Sequence, residues 1–390
     1  MESSQRHLYV IARVFYARKL VTYPKKHYFC TMEQIDFYTR EAVDLLGRLI
    51  ATPSTSRDER EAADIMEQTL QGYGFAVGRE ADNVWAVDPA YDDNRPTVLL
   101  NAHIDTVKPV KTWTKDPYTP LIEGDRLYGL GSNDCGGGLV TLLQVFRYFC
   151  HDRIIPSRSF NLIFLASAEE EVSGPDGIVR ALPLLPRVDV AIVGEPTGMQ
   201  PAIAEKGLMV LDLIAHGKSG HAARNEGVNA IYEALDDMRW IRDFSFPKVS
   251  KLLGPVKMTL TVVNAGTQHN VIPDTCTMLV DIRSNEFYTN EEIYNIVCEH
   301  VRSEVKAHSF RLHSSRIDPS HPLVRRCEAL GMVPYGSPTL SDQALMPFPS
   351  FKLGPGESAR SHSADEFVQI GELRQALEQY VALLTDIDIT

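Results

Sequence analysis

Three short stretches, residues 97–102 (TVLLNA), 160–166 (FNLIFLA) and 188–193 (VDVAIV), are too short for ordinary helices and too apolar for a sheet with one solvated face. They read as strands buried on both faces, which belong to mainly parallel sheets covered by helices. The segments around them supply those helices. Residues 34–51 repeat apolar side chains at helical spacing until Thr52-Pro53-Ser54 stops them, and residues 139–149 repeat the pattern. Ser56-x-x-Glu59 reads as a capping box that opens a helix toward Gly72, and Ser363-x-x-Glu366 as another ahead of a helix over 364–384. Such alternation predicts an α/β fold with a mixed, mainly parallel sheet flanked by helices.

The pattern changes between residues 206 and 315. Residues 208–215 and 256–262 alternate as strands, and Cys276, Met278, Val280 and Ile282 line one face of a third. Helical spacing occupies 228–241 and 291–305, and 310–313 reads as a last short strand. The order is βαββαβ, an α+β ferredoxin-like unit long enough to be a domain inserted into the first. The first domain then resumes with residues 322–330, a strand at 348–353 and the final helix.

With 39 basic and 51 acidic residues the net charge is −12, which argues against a nucleic-acid partner. The charge is uneven: residues 1–30 carry six basic residues against Glu2, a balance of +5 that leaves −17 on the rest. Residues 1–31 therefore read as a disordered leader or a mis-called start. No apolar run reaches 18 residues, so no membrane span is expected. The six cysteines form no CxxC pair and read as reduced thiols of a cytoplasmic protein.

In open α/β sheets the functional site lies beyond the carboxyl ends of the strands. Here the first buried run ends in His103-Ile104-Asp105, which puts His103 and Asp105 on one face. Asp105 is then placed to accept one ring N–H of His103 and leave the other nitrogen to a metal. The second run leads into Glu169-Glu170-Glu171, three like charges that call for a compensating cation. The third ends in Gly194-Glu195. A loop rich in glycine carries Asp134 at a helix entrance, where an N-cap role is equally open. A further loop, residues 354–362, ends in His362. Together these offer His, Asp, Glu, Glu and His, ligands that suit zinc, with manganese or cobalt in its place. One carboxylate bridging two metals would hold them ~3.5–4 Å apart, and a remaining carboxylate would serve as general base.

Five ordered blocks, NAHIDTV, LYGLGSNDCGGG, ASAEEEVSG, VGEPTG and GPGESARSH, carry a specific resemblance. From Met32 onward the sequence resembles the dinuclear zinc deacylase and exopeptidase family, which includes acetylornithine deacetylase, succinyl-diaminopimelate desuccinylase, aminoacylase and glutamate-releasing carboxypeptidase. The segment GEPTGMQPAIAEKG leans toward the first two. The resemblance implies that His103 and Glu195 hold one zinc, Glu171 and His362 the other, and Asp134 bridges both. Asp105 would orient His103, and Glu170 would be the general base, with Glu169 in the non-ligand slot of the family's Asp-Glu-Glu. A cis peptide would follow Asp134. Cys135 departs from the Lys or Met common there, and a structural role is expected for it.

The resemblance also assigns the insert. His221, in GKSGHAA, matches a histidine that reaches a neighbouring subunit's site and stabilises the oxyanion, and Asn270 matches a residue that polarises the scissile carbonyl. Arg283 resembles an arginine that grips a substrate carboxylate. The expected organisation is a catalytic domain over 32–205 and 316–390, interrupted by a lid and dimerisation domain over 206–315, in a homodimer. The run Ser341-Asp342-Gln343-Ala344 lacks the Arg of desuccinylase-like members. Arg360 is expected to replace it, with backbone N–H groups of Gly354 and Gly356 facing the substrate. The expected reaction is amide hydrolysis of a small N-acyl amino acid, acetylornithine first, serving arginine biosynthesis. Acetylcitrulline, succinylornithine, succinyl-diaminopimelate, a dipeptidase or tripeptidase activity, and non-catalytic binding are the alternatives.

Overall fold

The computed structural model describes residues 32–152, 158–224 and 226–389. The expected leader lies outside these residues. The three buried runs form the centre of one nine-stranded sheet. Thr97–His103 pairs in parallel with Asn161–Ser167 on one side and with Val190–Val193 on the other, and Ser350–Lys352 continues the parallel set. Antiparallel strands finish the sheet, with Val77–Glu80 and Asn83–Val87 at one edge and Ala202–Glu205 and Ser315–Arg316 toward the other. The mixed, mainly parallel sheet is thus present.

Every residue of Thr97–His103 and Asn161–Ser167 is buried, because both faces are covered. Val98, Leu100, Leu162 and Phe164 face one core shared with the helices Met32–Ile50, Gly137–Arg147 and Ile370–Leu384. The alternate residues Leu99, Ile163 and Leu165 face a second, smaller core with Ile178 and Ala181. Each such side chain contributes roughly 1.5–3 kcal/mol by leaving water.

Two expected helix starts are corrected. The second helix is Arg60–Gly72 and has no side-chain cap. Glu59 instead accepts the backbone N–H groups of Arg57 and Glu169, while the Ser56 hydroxyl is drawn to Asp105. The last helix starts at Ile370, under a capping box of Gln369 and Glu372. Ser363 and Glu366 take no part in it. In both cases a distant backbone competes successfully for the carboxylate that the local pattern assigned to a cap.

Residues between Met209 and Ala307 form a separate four-stranded antiparallel sheet. Along the sheet the order is Lys257–Ala265, Thr275–Arg283, Met209–His216 and Glu304–Ala307, with helices Ala230–Asp243 and Asn290–His300 between strands in the chain. This is the βαββαβ order. Cys276, Met278, Val280 and Ile282 are buried in its own core with Leu211 and Leu213. The fourth strand is Glu304–Ala307, not the expected 310–313, and the preceding helix stops at His300 rather than Val305. Asp237 explains the early stop, since its buried carboxylate accepts the N–H groups of Arg302 and Ser303 at 3.0 and 2.9 Å.

Candidate metal centre

The carboxyl ends of the parallel strands converge because glycine lets backbones touch. A Cβ on Gly138 would lie 1.6 Å from the Gly194 carbonyl oxygen, so the helix entered by the Asp134 loop packs directly on the strand end that carries Glu195. The Asp134–Cys135 peptide bond is cis. Glu366 fixes this loop by accepting the N–H groups of Gly131, Asn133 and Asp134 at 3.1, 2.8 and 2.9 Å. Asn133 ties it to the last loop, donating to the Glu357 carbonyl and accepting from the Glu357 N–H. The sequence gives only a polar Asn among glycines as a signal for this role. For Glu366 it gives none.

His103 Nε2 lies 3.3 Å from Asp134 Oδ1 and 3.7 Å from Glu195 Oε1. His362 Nε2 lies 3.0 Å from Glu171 and 3.6 Å from Asp134 Oδ2. Asp134 therefore faces the two imidazoles with different oxygens. Donor atoms of Asp134, Glu171 and His362 all lie within 4.8 Å of one another. The same holds for His103, Cys135 and Glu195, and for His103, Glu170 and Glu171. His103 Nδ1 is 2.8 Å from the Asp105 carbonyl oxygen and 3.4 Å from its carboxylate. The carboxylate mainly accepts from the Ser56 hydroxyl and the N–H groups of Glu170 and Glu171. Asp105 thus orients the histidine and the acidic loop together. Cys135 is buried, and its sulfur accepts the His103 N–H at 3.2 Å. Burial raises its thiol strongly, as suits a structural group.

The electrostatics fit divalent cations. Burial, with the charge of His103 opposing it and that of Glu195 adding to it, raises Glu170 well above the usual carboxylate range. Burial and the adjacent Asp134 push Glu195 up to about 8. Burial acts most strongly on Asp134 and raises it, but its hydrogen bonds to His103 and Ser361 and the charges of His103 and His362 together outweigh burial and hold it low. His362 rises to about 9 through its hydrogen bond to Glu171. Acids forced toward neutrality in one place mark a cluster short of positive charge, and bound cations supply it. The site holds oxygen and nitrogen donors in the numbers two such ions need.

A cavity of about 200 Å³ opens onto Asp134, Glu170, Glu171, Glu195 and His362. No described residue between 206 and 315 lines it. His221 and Asn270 sit together on the small sheet's side, where the Asn270 carbonyl accepts the Ala222 N–H. His221 is exposed, and its Nδ1 accepts the Ala223 N–H. Arg283 is held by Asp281 at 2.9 and 3.1 Å. Two residues expected on the substrate side are engaged elsewhere. Arg360 does not face the cavity: it pairs with both oxygens of Glu372 at 2.7 and 2.9 Å and lies over the Phe367 ring. The Gly354 N–H is taken by the Thr197 hydroxyl, and the glycine is there because a Cβ would lie 2.4 Å from the Glu195 carbonyl oxygen. Gly356 also lies outside the lining, with its carbonyl accepting the Gly198 N–H.

Comparison with known proteins follows the same outline. An acetylornithine deacetylase of Proteus mirabilis is 27% identical over 369 residues, covering 86% of this chain and 94% of that protein. A succinyl-diaminopimelate desuccinylase of Wolbachia pipientis is 27% identical over 293 residues, covering 71% of this chain and 73% of that protein. Among solved structures, a dinuclear metal-binding peptidase from Bacillus subtilis superposes with a TM-score of 0.66 at 16% identity, over 90% of this chain and 98% of that one. Residues 99–386 match the model of peptidase family M20/M25/M40. The chain belongs to that family.

Proposed function

We propose that this protein hydrolyses the amide bond of an N-acyl amino acid, with N-acetylornithine as the first candidate, using two zinc ions. The observation that carries this reading is the placement of Glu170. It is a nearly buried carboxylate at the cavity wall, beside the cluster of His103, Asp134, Glu171, Glu195 and His362 but outside the closest His–carboxylate pairs. In this reading His103 and Glu195 would hold one ion, Glu171 and His362 the other, and Asp134 would serve both. Bound there, the ions supply Lewis acidity and water acidified toward a pKa of ~7.

The chain's own residues do the rest. Glu170 takes the proton of the attacking water and returns it to the leaving amine. Asp105 fixes the His103 ring, and Glu366 fixes the loop of Asp134. His221, by resemblance reaching in from a second copy of the chain, and Asn270 stabilise the oxyanion; neither is among the residues lining the cavity of its own chain. The test is a panel of acetylornithine, acetylcitrulline, succinylornithine, succinyl-diaminopimelate and unblocked dipeptides, offered to the zinc-loaded protein. Turnover of acetylornithine is expected. Hydrolysis of dipeptides alone would make the protein a peptidase, and the absence of any turnover would leave a binding protein.

A further inference from the structure

Arg360 and Arg283, the two cations expected to read the substrate, are paired with Glu372 and Asp281, and neither lines the cavity. Among the described residues lining it, Lys352 is the only lysine or arginine. It ends the strand Ser350–Lys352, two residues before Gly354, and is only 2% exposed. Its ammonium donates to the carbonyl and the hydroxyl of Thr339 at 3.1 and 2.9 Å, and Glu205 lies 3.3 Å away. Glu205 is itself fully buried and accepts from the Ser341 hydroxyl at 2.8 Å. Thr339 and Tyr335 line the cavity beside Lys352, while Glu205 stands behind it.

A buried Lys–Glu pair is a poor way to stabilise a fold, because an apolar pair of the same volume does as well or better. What the pair does provide is a fixed positive charge at a cavity wall, in low dielectric, where its attraction for an anion is strong. We infer that Lys352 is the specificity-determining residue that recognises a carboxylate of the substrate, with Glu205 and Thr339 as its positioning residues. An arriving carboxylate takes the ammonium hydrogen now given to the Thr339 carbonyl, so a neutral acceptor is exchanged for a charged one. The inference rests on the amidohydrolase reading above. The carboxylate belongs either to the amino acid or to an acidic acyl chain.

The experiment compares acid with amide at each end, on the zinc-loaded full chain. One arm sets an N-acyl amino acid against its α-carboxamide, and the other an N-succinyl amino acid against its N-succinamyl analogue. In at least one arm the acid is preferred in kcat/KM by about ten- to hundredfold, the effect of one charge-assisted hydrogen bond. In Lys352→Met that preference falls to about twofold or less. Lys352→Met combined with Glu205→Gln, which leaves no unpaired buried charge, shows the same collapse, and Lys352→Arg keeps the preference. A preference that survives in Lys352→Met overturns the inference, as does a wild type that ignores the substitution in both arms. If the wild type turns over none of these compounds, the amidohydrolase reading fails. Calorimetry with glutarate and its monoamide then decides this one: tighter glutarate binding lost in Lys352→Met supports it, and equal binding overturns it.

Discussion

The two sheets treat their polar residues in opposite ways. At the ends of the large sheet's parallel strands, His103, Asp105 and Glu169 are buried, and Asp134, Glu170 and Glu195 are nearly so. Backbone N–H groups and the Ser56 hydroxyl fix Asp105, a backbone N–H fixes Glu169, and Asp105 in turn holds the His103 ring. Around the small sheet, His221 lies on a separate two-stranded pairing, Gly220–His221 with Val271–Ile272, and Asn270 in the turn before it, both exposed, while Arg283 on the sheet itself is paired with Asp281. A parallel sheet covered on both faces assembles a centre from one chain. An antiparallel sheet with a solvated face presents groups outward, and those groups do chemistry only when something is brought to them.

Glu170→Gln tests the first half of that contrast most severely. Turnover should drop about 10²–10⁴-fold while both metals stay bound, read by initial rates and metal content on one sample. Loss of metal instead would move the base role to a neighbouring glutamate. His221→Ala tests the second half, with an expected loss of roughly 10²–10³-fold. Mixing that variant with Glu170→Gln should restore activity, because a mixed dimer has one intact centre. Failure of complementation would mean that the small sheet closes over the centre of its own chain.

Metal binding should depend steeply on pH. Glu195, at about 8, and His362, at about 9, are protonated at pH 7 in the metal-free site, so binding displaces protons from both. Zinc affinity then climbs by more than about tenfold per pH unit below 8 and flattens above 9. Calorimetry in buffers of different ionisation enthalpy counts the protons released, and a count of zero would remove these two groups from the ligand set. Ser56→Ala removes the hydroxyl at 2.6 Å from Asp105 and should weaken zinc binding by about tenfold, without disturbing the fold. On the small sheet, Asp237→Ala should lower stability by about 1–3 kcal/mol in urea melts and leave kcat untouched. A fall in kcat there would show that the two sheets are mechanically coupled.

Much of the large sheet is legible because its signal is local. Uninterrupted apolar runs mark strands buried twice, and the residue after each run is at the carboxyl end by construction. His103 follows its run directly, and Glu195 and Glu169–Glu171 lie within a few residues of theirs, while the choice of Glu170 and Glu171 within the triple comes only from the family resemblance. What is illegible is the partner of each long polar side chain. Glu59 and Glu366 sit where a capping box predicts them. They are taken instead by the N–H groups of Glu169 and of the Asp134 loop, 110 and 232 residues away in the chain. Arg360 precedes His362 by two residues, yet Glu372, one turn into the next element, claims it. Lys352 passes as an ordinary polar residue at a strand end until Glu205 and Thr339 are seen around it.

Neighbours in the chain suffice to place the central strands and most helices, because periodicity and backbone geometry are local, but not the starts of the second and last helices, the end of Asn290–His300 or the last strand of the small sheet. Packing settles which cation meets the cavity, which acid holds the Asp134 loop, and that His221 lies exposed and outside the cavity lining of its own chain. Those outcomes depend on which distant backbone reaches a charged group first, and that competition is settled by packing.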